Sequence, residues 1–170
     1  MAEDTLAESV ITEAMRGVIG RELRSRTSYP ISASDIRKWA LAVYYPKRPP
    51  ARFLDAGGPS SPLMAPEEFN PFAWTTPGAT GEPTDVNPGF LERLAGAAPP
   101  DLEFMVNGGT TCEYGVPMYE GDVIRSSFTL SGYTEKQGKR GLLLFTRTQD
   151  RWTNQRGEMV RATTITLIRY

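Results

Sequence analysis

Ser32-Ala33-Ser34-Asp35-Ile36-Arg37-Lys38-Trp39-Ala40-Leu41-Ala42-Val43 is the stretch on which the fold turns. Asp35 falls three residues after Ser32, the spacing of a capped helix start. Ile36, Trp39, Ala40 and Val43 then recur at i, i+3, i+4 and i+7, so one face of the helix is apolar and carries a tryptophan toward a core. On this reading Trp39→Ala costs about 3–5 kcal/mol, the usual penalty for emptying a buried aromatic site.

Toward the N-terminus, Leu6, Val10, Ala14 and Val18 recur every four residues, with Ile11, Met15 and Ile19 beside them, which predicts a first helix ending at Gly20. Tyr29-Pro30-Ile31 reads as a short extended link. Toward the C-terminus the composition changes, because twelve of the fourteen prolines lie between Pro46 and Pro100. Long regular elements are excluded there. One short buried helix is predicted over Pro66 to Trp74, with Pro66 in its first turn, Glu67 and Glu68 beside it and Phe69, Phe72 and Trp74 as its aromatic content. Residues 76–100 are expected to form an irregular Pro/Gly-rich insertion within one domain spanning 1–170.

After Leu102 the pattern is extended. Leu102 to Val106 and Thr110 to Val116 flank Gly108-Gly109, and three longer strands follow at hairpin spacing. Ile124, Phe128 and Leu130 share a face of the first, Leu142 to Phe145 opens the second, and Met159 to Tyr170 forms the third. Glu135 to Gly138 and Asn154 to Gly157 read as the turns between them. An antiparallel sheet with one face to bury, and helices only in the first half, gives an α+β architecture in which the helices wrap back across the sheet.

The chain has 170 residues and no histidine. A formal net charge of -1 offers no field for a polyanion, so nucleic acid is excluded as an expected partner. Cys112 is the only cysteine, so neither an internal disulfide nor a zinc cluster is expected. The acidic N-terminus and the short apolar run from Trp39 to Tyr45 give no targeting signal and no membrane span, so the expected location is the cytoplasm.

Four segments carry a resemblance to a known family: Tyr29-Pro30-Ile31 leading into Ser34-Asp35-Ile36-Arg37-Lys38-Trp39-Ala40, then Ala65-Pro66-Glu67-Glu68-Phe69, Gly121-Asp122-Val123-Ile124, and Gly157-Glu158-Met159-Val160. In this order and spacing the chain resembles the MaoC-like dehydratases of the hot-dog fold, in particular the N-terminal, type I fatty-acid-synthase-like dehydratase half. The resemblance implies an antiparallel sheet wrapped around a central helix. In catalytic members that helix runs into a Gly-Asp-x-Asn-Pro-x-His loop, whose Asp and His move a water proton across a 2-enoyl thioester. Here the Asp position falls at Tyr45 and the His position at Pro50, so no catalytic residue is assigned. Losing a positioned acid or base costs about 10²–10⁴-fold in rate.

The resemblance therefore implies a non-catalytic subunit of a 3-hydroxyacyl-thioester dehydratase, or enoyl-CoA hydratase. A catalytic MaoC-like partner would supply Asp and His in a heterodimer or a dimer of heterodimers. The substrate would be an acyl-CoA or acyl-carrier thioester, with no cofactor and no metal. Two alternatives are a homodimeric acyl-CoA-binding module and a thioesterase using Glu67 or Glu68. Against the second stands the plain reading of those acids as groups offsetting a helix dipole, worth about 0.3–1 kcal/mol.

Six residues are expected to bind substrate: Phe69, Phe72 and Trp74 as acyl-tunnel lining or core, and Asn107, Gly108 and Gly109 as a close backbone approach or a strand bulge. Lys47, Arg48 and Arg52 suit coenzyme A phosphates or a solvated loop. Asp85-Val86-Asn87-Pro88-Gly89-Phe90 repeats Asp-x-Asn-Pro-x but lies well after the helix, and reads as a turn. Cys112 is expected to be a small core residue.

Overall fold

The computed structural model describes residues 9–55, 61–73, 87–139 and 141–170. The elements run α1 (Glu13–Gly17), β1 (Glu22–Thr27), α2 (Ala33–Tyr44), a short 3₁₀ helix (Ala51–Phe53), α3 (Phe90–Ala95), β2 (Met105–Tyr114), β3 (Arg125–Gly138), β4 (Gly141–Thr153) and β5 (Met159–Arg169). The strands form one antiparallel five-stranded sheet in the order β1-β3-β4-β5-β2.

Strand register defines the inner face. Arg26, Ser126, Trp152, Arg161 and Tyr114 form one row across all the strands, and Arg24, Phe128, Asp150, Thr163 and Cys112 form the next. At this end Trp152, Ile124 and Val160 pack with Ile36, Phe69, Phe72, Leu63 and Met118 in a buried cluster beneath α2. At the other end Leu130 packs with Val18, Leu91, Ala95 and Ala97 beneath α1 and α3. The expected α+β hot-dog architecture is present.

Ser32 caps α2 as its spacing predicts: its hydroxyl accepts from the Asp35 N–H at 3.1 Å and donates to the Asp35 carboxylate at 2.8 Å. Ile36 and Ala40 are fully buried, but Trp39 is only half-buried and Val43, on the same face, is 57% exposed. The last turns of α2 thus overhang the core.

Other expectations are corrected. The predicted first helix is cut to the five residues of α1, with Thr12 as its cap; Leu6 lies outside the described residues. The segment from Pro66 is two turns rather than a helix, because Asn70 Oδ1 accepts from the Phe72 N–H at 3.0 Å and closes a local turn before Trp74, which lies outside the described residues. The supposed irregular insertion contains α3, ended by Gly96 at φ 78°. Glu135 to Gly138 belong to β3, with the turn beyond at Lys139. The two extended pieces around Gly108 are one strand, β2, with a bulge between Asn107 and Gly109. Cys112 is exposed on that strand, not buried.

β1, just before Tyr29, is the strand no apolar alternation announced. Leu23, at its bulge, packs against the Leu130 cluster, but its other inward residues are arginines: Arg24 lies over the Phe128 ring at 5.5 Å and Arg26 over the Phe72 ring at 4.2 Å. The guanidinium faces do the packing that aliphatic side chains do elsewhere.

Candidate functional site

Beyond the overhanging end of α2 lies a cavity of about 500 Å³. Trp39 and Tyr44 of α2 form one wall, Arg52 and Phe53 of the 3₁₀ helix another, and Met64 to Glu68 a third. Tyr114 at the end of β2, Gly115 to Met118 beyond it, and Val160 of β5 close it. Tyr44 and Phe53 meet with ring centroids 6.2 Å apart. Gly115 is required where it stands: a Cβ there would lie 2.0 Å from the Met159 carbonyl oxygen.

The polar groups gather on one side. Glu68 accepts a hydrogen bond from the Tyr114 hydroxyl and faces Arg161 at 3.6 Å. Arg161 in turn lies over the Trp152 ring at 4.8 Å. Glu67 and Arg52 also line the cavity. The loop that leaves α2, residues 45–50, reads Tyr-Pro-Lys-Arg-Pro-Pro and contains neither a carboxylate nor an imidazole. Tyr45, the first residue of that loop, is 82% exposed. Among the described residues no group of His, Cys, Asp and Glu side chains has a metal-holding arrangement.

The residues behind the resemblance form a scaffold around this cavity. The Gly121 N–H donates to the Ile31 carbonyl at 2.8 Å and the Ile31 N–H to the Asp122 carbonyl at 2.9 Å, joining the Tyr-Pro-Ile and Gly-Asp segments. Asp122, nearly fully buried, accepts from the Tyr119 N–H and from Gln155 Nε2, each at 2.8 Å, which ties it to the β4–β5 turn. There Asn154 and then Arg156 hold the Glu158 carboxyl below its ordinary pKa by hydrogen bonding. Ala65 N–H reaches the Met118 carbonyl at 2.8 Å, fixing the turn that presents Glu67 and Glu68. Those acids stand on a turn, so no helix dipole explains them.

The six expected substrate residues do not converge. Phe69 and Phe72 are each 3% exposed and sit in the core, Phe72 edge-on to Trp152 with centroids 5.2 Å apart. Trp74 lies outside the described residues. Asn107, Gly108 and Gly109 form the β2 bulge, where Asn107 Oδ1 accepts from the Gly109 N–H at 2.8 Å. From Gly109 to the cavity at Tyr114 the strand runs roughly 17 Å. Lys47 and Arg48 are exposed loop residues; of the three cations only Arg52 lines the cavity. In the Asp-x-Asn-Pro-x segment, Asn87 Oδ1 accepts from the Gly89 N–H at 3.1 Å and starts α3, in keeping with a turn; Asp85 and Val86 lie outside the described residues. The cavity walls missed by sequence reasoning, Phe53, Met64 and Val116 to Met118, come from the short 3₁₀ helix and from loops, without periodic pattern.

The far end of the inner face is shut. Glu92 of α3 and Arg169 of β5 are both fully buried and meet in a forked pair at 2.7 and 2.8 Å. Tyr133 donates to Glu92 at 2.7 Å, and Arg169 donates to Thr146 at 2.6 Å. Burial pushes the Glu92 carboxyl up, but the hydrogen bonds from Arg169 and Tyr133 outweigh it and hold the pKa below the ordinary value. Burial, then the hydrogen bond to Glu92, raises that of Tyr133.

Among known structures the chain resembles one from the ChsH1-ChsH2 complex of Mycobacterium tuberculosis, with a TM-score of 0.58 at 19% identity over 86% of this chain and 83% of that one. It also resembles a MaoC-like dehydratase, with a TM-score of 0.54 at 15% identity, over 95% of this chain but only 43% of that longer one. At such identities the likeness establishes the hot-dog fold. No curated protein sequence matches the chain. The model of the FAS1-like dehydratase domain region matches residues 17–163, and the chain therefore belongs to that family, within the MaoC-like dehydratases.

Proposed function

We propose that the protein is the non-catalytic half of a heteromeric 3-hydroxyacyl-thioester dehydratase, or enoyl-CoA hydratase, working in the cytoplasm. The observation that carries the reading is the pairing of a cavity at the end of α2, walled in part by Trp39, Phe53, Met118 and Val160, with a neighbouring loop, residues 45–50, that holds neither a carboxylate nor an imidazole. The acyl chain of a thioester fits a pocket of this kind. In this reading the partner's His and Asp add or remove water across a trans-2-enoyl thioester, while Trp39, Phe53, Met118 and Val160 enclose the acyl group and exclude solvent.

The partner's seat is the β2 edge. From Val106 to Tyr114 the strand is exposed. The Phe104 and Gly115 N–H groups both donate into the sheet, to Tyr170 and Val160. Alternation therefore leaves Thr110, Cys112 and Tyr114 with their main-chain groups turned to the open side. Such an edge invites a strand from another subunit. A pairing of hot-dog subunits like that named for the ChsH1-ChsH2 complex would use it, and would cover Trp39 and Val43, where α2 overhangs.

Co-expression with a catalytic MaoC-like subunit, followed by sizing and an enoyl-CoA hydration assay, tests the reading. The pair should co-purify and hydrate the substrate while this chain alone should not. Cys112→Pro, which removes one outward N–H, should abolish pairing and leave the fold intact.

A competing reading rests on Glu67 and Glu68, which both line the cavity. A thioesterase would release free thiol from acyl-CoA, and Glu67→Gln or Glu68→Gln would stop it. The dehydratase-subunit reading expects no thiol release from the unaltered chain.

A further inference from the structure

We infer that the outer face of the sheet, where β2, β5 and β4 meet at the Tyr170 end, is a self-association surface for a second copy of this chain. Phe104 and Tyr170 exchange backbone hydrogen bonds at 3.0 and 3.2 Å, and their rings stack with centroids 5.4 Å apart. Register then sets Leu143 beside Tyr170 and Lys136 beside Leu143, completing a row across the sheet. In the next row Val106, Ile168, Phe145 and Thr134 stand side by side. Alternation puts both rows on the face opposite Leu144, Leu167 and Arg169, the face away from α3.

A solvated sheet face is ordinarily polar. That rule holds farther along this face, where Thr164, Gln149 and Thr129 form a row. It fails at the Tyr170 end: Phe104 is 56% exposed, Tyr170 48% and Val106 45%, and Leu143, Phe145 and Ile168 fill the space between them. A contiguous exposed apolar patch of this kind marks an interaction surface.

Charge at the margins selects the occupant. The exposed Lys136 and Lys139 flank the patch on the β3 side, and the exposed Asp101 and Glu103 precede Phe104 on the β2 side. A twofold axis parallel to the strands, passing between β5 and β4, sets the acidic margin of one copy on the basic margin of the other. The apolar rows then close on themselves as an aligned sheet-on-sheet contact. The contact uses a face, whereas the β2 reading uses an edge, so two heterodimers could join through it. It stands whether or not that reading holds.

Sedimentation equilibrium of the full chain over a range of concentrations tests it. The unaltered chain should dimerise, and Tyr170→Ser should raise the dissociation constant about tenfold or more. Glu103→Lys and Lys136→Glu should each weaken the dimer several-fold, and the two together should restore it. In Cys112→Pro, where strand addition at β2 is blocked, the dimer should persist. A chain that stays monomeric throughout, or a dimer lost in Cys112→Pro and indifferent to the charge reversals, would overturn the inference.

Discussion

The two ends of the sheet's inner face are finished in opposite ways. At the α3 end the apolar cluster is sealed by a buried Glu92–Arg169 pair, with Tyr133 donating to Glu92 and Thr146 accepting from Arg169. At the α2 end the core stops short: Ile36 and Ala40 are buried, yet Trp39 is half-open, Val43 is exposed and a cavity begins. A sealed end fixes the fold, and the unfinished one is where the proposed acyl group and partner would sit. Residues 45–50, which hold neither a carboxylate nor an imidazole, belong to the unfinished end.

The sealed end should show the largest effects. Arg169→Ala, which strands Glu92 without its counter-charge, should cost about 3–5 kcal/mol in urea unfolding, whereas Glu92→Leu with Arg169→Met should recover most of that loss. A cost below about 1 kcal/mol for Arg169→Ala would erase the contrast between the ends. The pair also sets an acid limb. Because the Glu92 pKa is lowered on folding, its contribution is present above the ordinary value of 4.5 and is lost as the pH falls through the folded value. Urea midpoints measured downward from neutral pH should therefore fall less steeply for Glu92→Gln than for the unaltered chain.

Within α2 the contrast appears along one helix face. Ile36→Ala should cost about 2–5 kcal/mol, while Trp39→Ala, at the open end, should cost only about 1–3 kcal/mol, less than its aromatic size alone suggests. Equal losses would mean that Trp39 is core and the end is not open. Ser32→Ala, which removes the cap common to both halves of the helix, should cost about 1 kcal/mol in thermal unfolding. Smallest of all, Glu67→Gln should leave the unfolding curve unchanged, since Glu67 is an exposed turn residue.

What could be read in the chain follows from where periodicity carries information. The cap at Ser32, the stripe through Ile36 and Ala40, and strands rich in Thr, Ile and Val announce themselves, because each buries a face at a fixed repeat. β1 did not, because Arg24 and Arg26 occupy inward positions by lying over Phe128 and Phe72. α3 was hidden by the proline and glycine around it, although Leu91, Leu94 and Ala95 followed by Gly96 carry a short helical repeat and its stop. The lack of a carboxylate and an imidazole in residues 45–50 is legible in the sequence itself. The cavity was not, because Arg52, Met64, Val116 and Val160 are brought together by the fold alone.

The most direct test of the account is hydration of a trans-2-enoyl-CoA by this chain alone and by the same chain co-purified with a catalytic MaoC-like subunit. The account predicts turnover only from the pair, and loss of that turnover when Cys112→Pro prevents pairing. Strong hydration by the isolated, purified chain would contradict it.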